Sequence, residues 1–303
     1  MADPASVVVV GSVNLDTKLE VQHIPVAGET ILSRRRSVSP GGKGANQAAA
    51  AAAAAARVKF IGAIGDDEHG RIAVRNLSSW GVDLSSLQVL ARVPSGEAHL
   101  IVAESNAENL IVVSPGANEH LSPAHVARAL ETDRSTVLLT QLETPLTVLE
   151  VCAEHRGSQW RILNPAPVAP ASELRSLLRG FNLLVPNRME LAHLAGSAEP
   201  RSLEEVRACT RRIDFDGAIV VTLGSAGAAL FLQRDSSPVV IAPPPVRPVD
   251  TTGAGDVFCG HLARELAEHG DLERAVRAAV HASALSTELP YAQLLARPLG
   301  VSA

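Results

Sequence analysis

Two glycine-rich segments carry residue types on which a reaction could be built. The later one reads Pro248-Val249-Asp250-Thr251-Thr252-Gly253-Ala254-Gly255-Asp256 and runs into a helix-like stretch, Ala254–His269. Gly253, Ala254 and Gly255 place backbone N–H groups at a helix start, where the dipole also favours an anion. Asp256 falls in the first turn of that helix. The dipole alone favours an acidic residue there. Beside N–H donors, the same carboxylate can also act as a base. A base for a hydroxyl proton, next to donors that stabilise a moving phosphoryl group, is what phosphoryl transfer to an alcohol requires. A dinucleotide fingerprint is excluded, because Phe258 stands at the third glycine position of G-x-G-x-x-G.

The earlier segment is Ser39-Pro40-Gly41-Gly42-Lys43-Gly44-Ala45-Asn46-Gln47, directly before an alanine-rich stretch. Its glycines allow close backbone approach to a ligand, again at a helix start. It is not a Walker A loop, since Gly44 follows the lysine where that motif needs Ser or Thr.

The elements that must hold these loops follow an α/β pattern. Ser6–Val10 is a β-branched run that suits a strand buried on both faces. Similar runs recur at Phe60–Ile64, Val137–Leu139, Arg161–Leu163, Leu183–Val185 and Ala218–Val221. Helix-like stretches lie between most of them, at Glu68–Trp80, Pro123–Glu131 and Pro145–His155, and Ala254–His269 and Leu272–Leu285 close the series. The alternation predicts a three-layer α/β/α, doubly wound, mostly parallel sheet. The nine alanines Ala48–Ala56 read as a closely packed helix. Thr17–Val21, Thr30–Ser37, His99–Ala103 and Leu110–Ser114 break the alternation. They read as a small β flap, from about 14–37 and 96–114, set on one domain spanning 1–303.

Composition narrows the function classes. The 303 residues carry a net charge of −5, with 46% hydrophobic and 3% aromatic residues. That supports a large core and argues against nucleic acid as a partner, which calls for a basic face or stacking platforms. The longest apolar run, Ala48–Ala56, is too short for a membrane span. No secretory signal stands at the N-terminus. Cys152, Cys209 and Cys259 form no metal-type cluster, and their low odd number suits the cytoplasm.

The motifs also have a recognisable order. Gly11-Ser12-Val13-Asn14-Leu15-Asp16 is followed by Gly41-Gly42-Lys43-Gly44-Ala45-Asn46-Gln47-Ala48 and Ala63-Ile64-Gly65-Asp66-Asp67. Then come Pro115-Gly116-Ala117-Asn118, Gln141-Leu142-Glu143, Leu163-Asn164-Pro165-Ala166-Pro167, Asn187-x-x-Glu190, Val221-Thr222-Leu223-Gly224-Ser225 and Asp250–Asp256. From about residue 6 to 285 the chain resembles the ribokinase-like carbohydrate kinases of the phosphofructokinase B type. The GGKGAN loop with Glu143 narrows the resemblance to the ribose-phosphorylating branch.

The resemblance implies ATP-dependent phosphorylation of D-ribose at its 5-hydroxyl. Kinases of the same fold acting on deoxyribose, fructose or adenosine stay open, as does a catalytically weak sugar-binding regulator. The resemblance makes Asp256 the catalytic base and Gly253, Ala254 and Gly255 the anion hole. Asn14, Asp16, Gly41, Gly42, Lys43, Asn46 and Glu143 become the sugar site. Asn187, Thr222, Gly224, Ser225 and Gly227 become nucleotide contacts, and Glu190 holds Mg2+ through water. Asp250 and Thr252 match half of a site for a monovalent cation, usually K+. On the other half the chain departs from the pattern at Tyr291 and Leu295. The resemblance further implies a homodimer joined through the flaps. Glu97 and His99 share one strand face, outward or toward a partner, if Ala98 faces sugar.

Overall fold

Four consecutive valines organise the core. Val7 to Val10, in strand β1 (Ser6–Val10), are fully buried. Val7 and Val9 enter one hydrophobic cluster, and Val8 and Val10 enter the other. A strand buried on both faces needs apolar side chains at every position, which explains the unbroken run.

The computed structural model describes residues 5–103 and 109–289. The strands after β1 are β2 (Asn14–Val21), β3 (Arg35–Gly41), β4 (Arg57–Ile61), β5 (Ala63–Gly65), β6 (Gln88–Leu90), β7 (Gly96–Ala103), β8 (Asn109–Ser114), β9 (Val137–Thr140), β10 (Trp160–Leu163), β11 (Leu183–Leu184), β12 (Ala218–Thr222), β13 (Ala228–Phe231) and β14 (Val239–Ile241). The helices are α1 (Lys43–Ala53), α2 (Glu68–Ser79), α3 (Pro123–Glu131), α4 (Leu146–Glu154), α5 (Ala171–Leu178), α6 (Arg188–Ala195), α7 (Leu203–Arg212), α8 (Ala254–His269) and α9 (Leu272–Ser286). The main sheet has the order β14-β13-β12-β11-β10-β9-β1-β4. It is parallel except for the pairs β12–β13 and β13–β14. Helices α1, α2, α8 and α9 cover one face, and α3 to α7 cover the other. This is the expected three-layer, mostly parallel arrangement. Among the described residues no helix is long and apolar enough to cross a membrane.

The alanine tract is helical only in part. Ala48 to Ala51 are buried, and α8 crosses close by, where a Cβ on Gly260 would come within 2.6 Å of the Ala50 Cβ. The helix stops at Ala53, before the run does. Ala55 takes φ 69°, its N–H bonds the Ala52 carbonyl at 2.9 Å, and the Ala56 N–H bonds the Ala51 carbonyl at 3.1 Å. These bonds form a Schellman end with alanine in the position that glycine usually fills. Propensity favours continuing the helix, but the chain turns here to enter β4.

Two other expectations shift. The run Phe60–Ile64 is not one strand: it breaks at Gly62, and β5 leaves the main sheet to pair with β6. The second flap strand is β3, Arg35–Gly41, rather than Thr30–Ser37. β3 lies at the sheet edge, where Pro40 can be accommodated without breaking the ladder.

The second sheet has the order β3-β2-β7-β8. Its register places Asn14 between Gly41 and Gly96, and Asp16 between Ser39 and Ala98. The site end of the flap therefore grows directly out of β2. Ala98 is buried, and Glu97 and His99 lie on the opposite face as expected. Glu97 pairs at 2.7 Å with His69 of α2 and at 3.4 Å with His99, and both members of the pair stay partly exposed.

Candidate functional site

The start of α8 is the centre of the site. Gly253 is its N-cap, with φ 76°. The Asp256 N–H bonds the Gly253 carbonyl at 2.9 Å, and the Ala254 N–H makes a longer bond of 3.3 Å to the Thr251 carbonyl. Among the described residues, the N–H groups of Gly253 and Gly255 have no acceptor. A Cβ on Gly255 would meet open space. The anion-binding geometry expected of Gly253–Gly255 thus rests mainly on the two glycines.

Asp256 is buried beside them, in a pocket of about 140 Å³ lined also by Lys43, Asn164, Asn187, Glu190 and Cys259. Its carboxylate accepts from the Asn46 side chain at 3.0 Å and the Gln47 side chain at 3.0 Å. Burial pushes the Asp256 carboxyl up; the Lys43 ammonium and the two amides oppose that. Burial pulls the Lys43 ammonium down, but Asp256, Glu143 and Glu190 outweigh it and hold Lys43 above its ordinary value. Lys43 is therefore the common counter-charge for the carboxylates of the pocket.

The residues assigned to sugar meet at the base of the flap. Gly42 caps α1 at φ 88°, and a Cβ there would lie 2.7 Å from the Asn14 backbone nitrogen. Only glycine permits this approach of α1 to β2. Asp16 lies against Gly41, and its Oδ1 is buried with no partner among the described residues. Burial, then Glu143 and Asp256, raise the Asp16 carboxyl to about 7, against the pull of Lys43. An unpaired buried carboxylate oxygen is a ready acceptor for a hydroxyl.

Two residues without an assigned role hold this group in place. The Asn118 side chain donates to Asn14 Oδ1 at 2.8 Å and to the Val13 carbonyl at 3.0 Å, and its Oδ1 accepts from the Val13 N–H at 2.8 Å. The amide of Asn14 is thereby turned with its NH₂ away from Asn118. The Ser12 hydroxyl donates to Glu143 Oε2, which also accepts from the Lys43 N–H at 3.0 Å. Ser12 and Asn118 stand inside the motifs quoted above. Nothing in their residue types marks them, because their role depends on contacts more than 100 positions away.

A larger cleft of about 760 Å³ lies on the other side of the α8 start. Thr222, Gly224, Ser225 and Gly227 form one wall, and Pro243–Pro245, Phe258, Val280 and Ala284 supply most of the rest. Thr222 and Gly255 line both cavities, so the two meet at the helix start. The cleft is large enough for the flat apolar part of a nucleotide.

Asn187 and Glu190 form a reciprocal cap on α6. Asn187 Oδ1 accepts from the Glu190 N–H at 2.8 Å, while the Asn187 N–H and side-chain NH₂ each donate to Glu190 at 2.8 Å. The cap pins one carboxylate on the pocket wall, and burial raises its pKa. A single hard-oxygen group on the pocket wall fits a magnesium ion that keeps most of its waters. Among the described residues no group of three or more His, Cys, Asp or Glu could hold a metal ion.

Asp250 and Thr252 are not gathered into either cavity. Asp250 Oδ1 accepts from the Thr252 N–H at 2.8 Å, closing a turn on the outer side of the loop. Tyr291 and Leu295, the departures from the expected cation site, lie outside the described residues.

The comparisons with known proteins agree with this geometry. A model of the pfkB family carbohydrate kinases matches residues 4–298. The chain is 37% identical to a ribokinase of Bacillus subtilis over 284 residues, 93% of this chain and 92% of that one. It is 34% identical to a deoxyribokinase of Salmonella typhimurium over 287 residues, 92% of each. The structure of Arabidopsis thaliana ribokinase complexed with ribose and ATP superposes with a TM-score of 0.82, at 30% identity, covering 97% of this chain and 95% of that one. The family model covers both glycine-rich loops and every strand of the two sheets around them, and on that ground the chain belongs to the pfkB family of carbohydrate kinases.

Proposed function

We propose that the protein transfers the γ-phosphoryl group of ATP to the 5-hydroxyl of D-ribose, giving ribose 5-phosphate and ADP. One observation carries the reading. A buried carboxylate, Asp256, sits beside two free N–H groups at the point where a polar pocket opens into a nucleotide-sized cleft. Asn14, Asp16, Lys43, Asn46 and Glu143, with the backbone of Gly41 and Gly42, hold the sugar. Asp256 takes the proton of the 5-hydroxyl as its oxygen bonds to the γ-phosphorus. The bond from that phosphorus to the β–γ bridging oxygen breaks, and ADP leaves. The N–H groups at Gly253–Gly255 stabilise charge on the moving group. Asp256 acts as a base and not as a nucleophile, so no phosphoenzyme forms.

Asn187, Thr222, Gly224, Ser225 and Gly227 bind the nucleotide in this reading, and Glu190 holds Mg2+ through water. Bound magnesium would neutralise phosphate charge. Asp250 and Thr252 supply half of a K+ site. The enzyme works in the cytoplasm, a compartment that suits three buried free cysteines. It forms a homodimer through the flaps. The support is β8, an edge strand with Leu110, Ile111, Val112 and Val113 all 43–54% exposed, an open template for pairing with a second copy.

The testing experiment is coupled ADP release with ribose, deoxyribose, fructose and adenosine, with and without K+. Strong preference for ribose is expected, with a weaker K+ response than a complete cation site would give. Preference for deoxyribose would keep the chemistry and relocate the substrate to that of the deoxyribokinase relative. Sugar binding with no ADP release on any substrate would overturn the reading in favour of a regulator.

A further inference from the structure

Asp256 is held by residues that have no part in the chemistry described so far. Gln47 is 0% exposed and Gln141 is 1% exposed. Gln47 Nε2 donates to Asp256 Oδ1 at 3.0 Å and to Asn164 Oδ1 at 3.1 Å. Gln47 Oε1 accepts from Gln141 Nε2 at 2.6 Å. Asn164 Nδ2 in turn donates to the Val185 carbonyl at 2.8 Å.

The orientation of each amide follows from that carbonyl. A backbone C=O only accepts, so Asn164 must face Val185 with its NH₂ and Gln47 with its oxygen. Gln47 must then show its NH₂ to Asn164 and Asp256, and its oxygen must face the NH₂ of Gln141. Flipping any member would set two donors or two acceptors against each other in a buried site, which is costly. The chain also makes a demand on backbone. Gln141 Oε1 lies where a Cβ on Gly11 would sit, 2.1 Å away, so the residue after β1 must lack a side chain for Gln141 to reach Gln47.

Both oxygens of Asp256 therefore meet N–H donors, Oδ1 from Gln47 and Oδ2 from Asn46. A proton on either oxygen would have to compete with a donor already there. The amides thus favour the carboxylate and fix its plane, with its remaining lone pairs free for a hydroxyl.

We propose that Gln47 is a positioning residue for Asp256, and that Gln141 locks the amide face that Gln47 presents, so that the base is kept as an aligned acceptor. The inference rests on Asp256 being the base. The other groups that bear on Asp256 are Lys43 of α1, Glu143 after β9, Glu190 of α6, Asp16 of β2 and Cys259 of its own helix. All of them stay in place when Gln47 loses its donors, so the sign is set. The acid limb of the kcat–pH profile must move up.

The test is the kcat–pH profile of Gln47→Met, which keeps size and removes the donors. Its acid limb is expected to rise by about one pH unit, with kcat along that limb down about tenfold and recovering at higher pH. The ribose KM should change little. Gln141→Met, one residue removed from the base, should move the limb the same way by less, and it carries the test alone if Gln47→Met does not fold. A loss of kcat equal at every pH, or an unchanged profile, overturns the proposal. Asp256→Asn separates the two levels. If that variant keeps turnover, the base assignment falls and the proposal falls with it. If it is inactive while Gln47→Met and Gln141→Met keep the wild-type profile, only the positioning role falls.

Discussion

The two cavities that meet at the start of α8 are built from opposite materials. The inner pocket is small and lined by Lys43, Glu190 and Asp256 with amides between them. The outer cleft is five times larger and lined mostly by proline, glycine, alanine and valine. Burying charge is costly unless each charge finds a partner, so almost every inner group is tied to another. Asp256 holds Asn46 and Gln47, Glu190 holds Asn187, and Glu143 holds Ser12 and the Lys43 N–H. The outer cleft has few polar side chains, so a ligand there would be held through shape and apolar contact. Damage to the inner pocket should therefore appear in turnover and sugar binding, and damage to the outer cleft in nucleotide affinity alone.

The largest effect is expected from Asp256→Asn. Removing a general base should lower kcat by about 10²- to 10⁴-fold while ribose binding, measured by calorimetry, stays within a few-fold of wild type. Loss of binding in parallel with turnover would erase the distinction between the base and the sugar contacts. Glu143→Ala comes next. Losing a charged hydrogen-bond acceptor should raise the ribose KM by about 10- to 100-fold, with the ATP KM moving less than about threefold. The opposite order of effects would move Glu143 out of the sugar site.

The same contrast explains what was legible in the sequence. The inner pocket shows itself because its proposed chemistry demands particular residue types. Gly42 is needed for a φ of 88° against β2, Asp256 for the proposed base, and Lys43 for a counter-charge. The parallel sheet was legible because burial on both faces forces runs such as Val7–Val10. The outer cleft left little trace beyond Thr222–Gly227, since Val280 and Ala284 look like any other helix residues in α9. The antiparallel strands β13 and β14 were likewise unmarked, because a four-residue apolar strand and a three-residue one carry no period to read. Ser12, Gln47, Asn118 and Gln141 were visible as letters, but their partners are set by tertiary contacts that no local pattern encodes. The alanine run misled in the other direction. Propensity predicted nine helical residues, and the need to turn into β4 ended the helix at Ala53.

A smaller effect should come from filling the outer cleft. Ala284→Trp places a large ring on the α9 wall. Overpacking costs of this kind correspond to an ATP KM raised by roughly tenfold, with kcat at saturating ATP and the ribose KM close to wild type. Initial-rate kinetics with each substrate varied in turn would check it. A fall in kcat at saturating ATP would mean that the two cavities are coupled more tightly than their materials suggest.

The smallest effect concerns stability and tests whether the inner pocket is strained for function. Among the described residues Asp16 is the one carboxylate of the site with a buried oxygen that no protein group satisfies, and burial with Glu143 and Asp256 raises it to about 7 from 3.8. Between those values the folded state binds a proton that the unfolded state has released. Stability from this group is therefore full below about pH 4 and lost as pH rises through about 7. Asp16→Asn has no charge to bury. Its thermal midpoint should exceed that of the wild type by about 3 °C at pH 8, equivalent to ~1 kcal/mol for a chain of this size. The difference should shrink steadily as the buffer is taken toward pH 5, and ribose binding should be lost at every pH. A midpoint difference that does not depend on pH would show that the ionised Asp16 is not destabilising the fold. A variant less stable than wild type at pH 8 would show that the carboxylate is satisfied even without sugar, and the contrast between a strained inner pocket and a relaxed outer cleft would have to be given up.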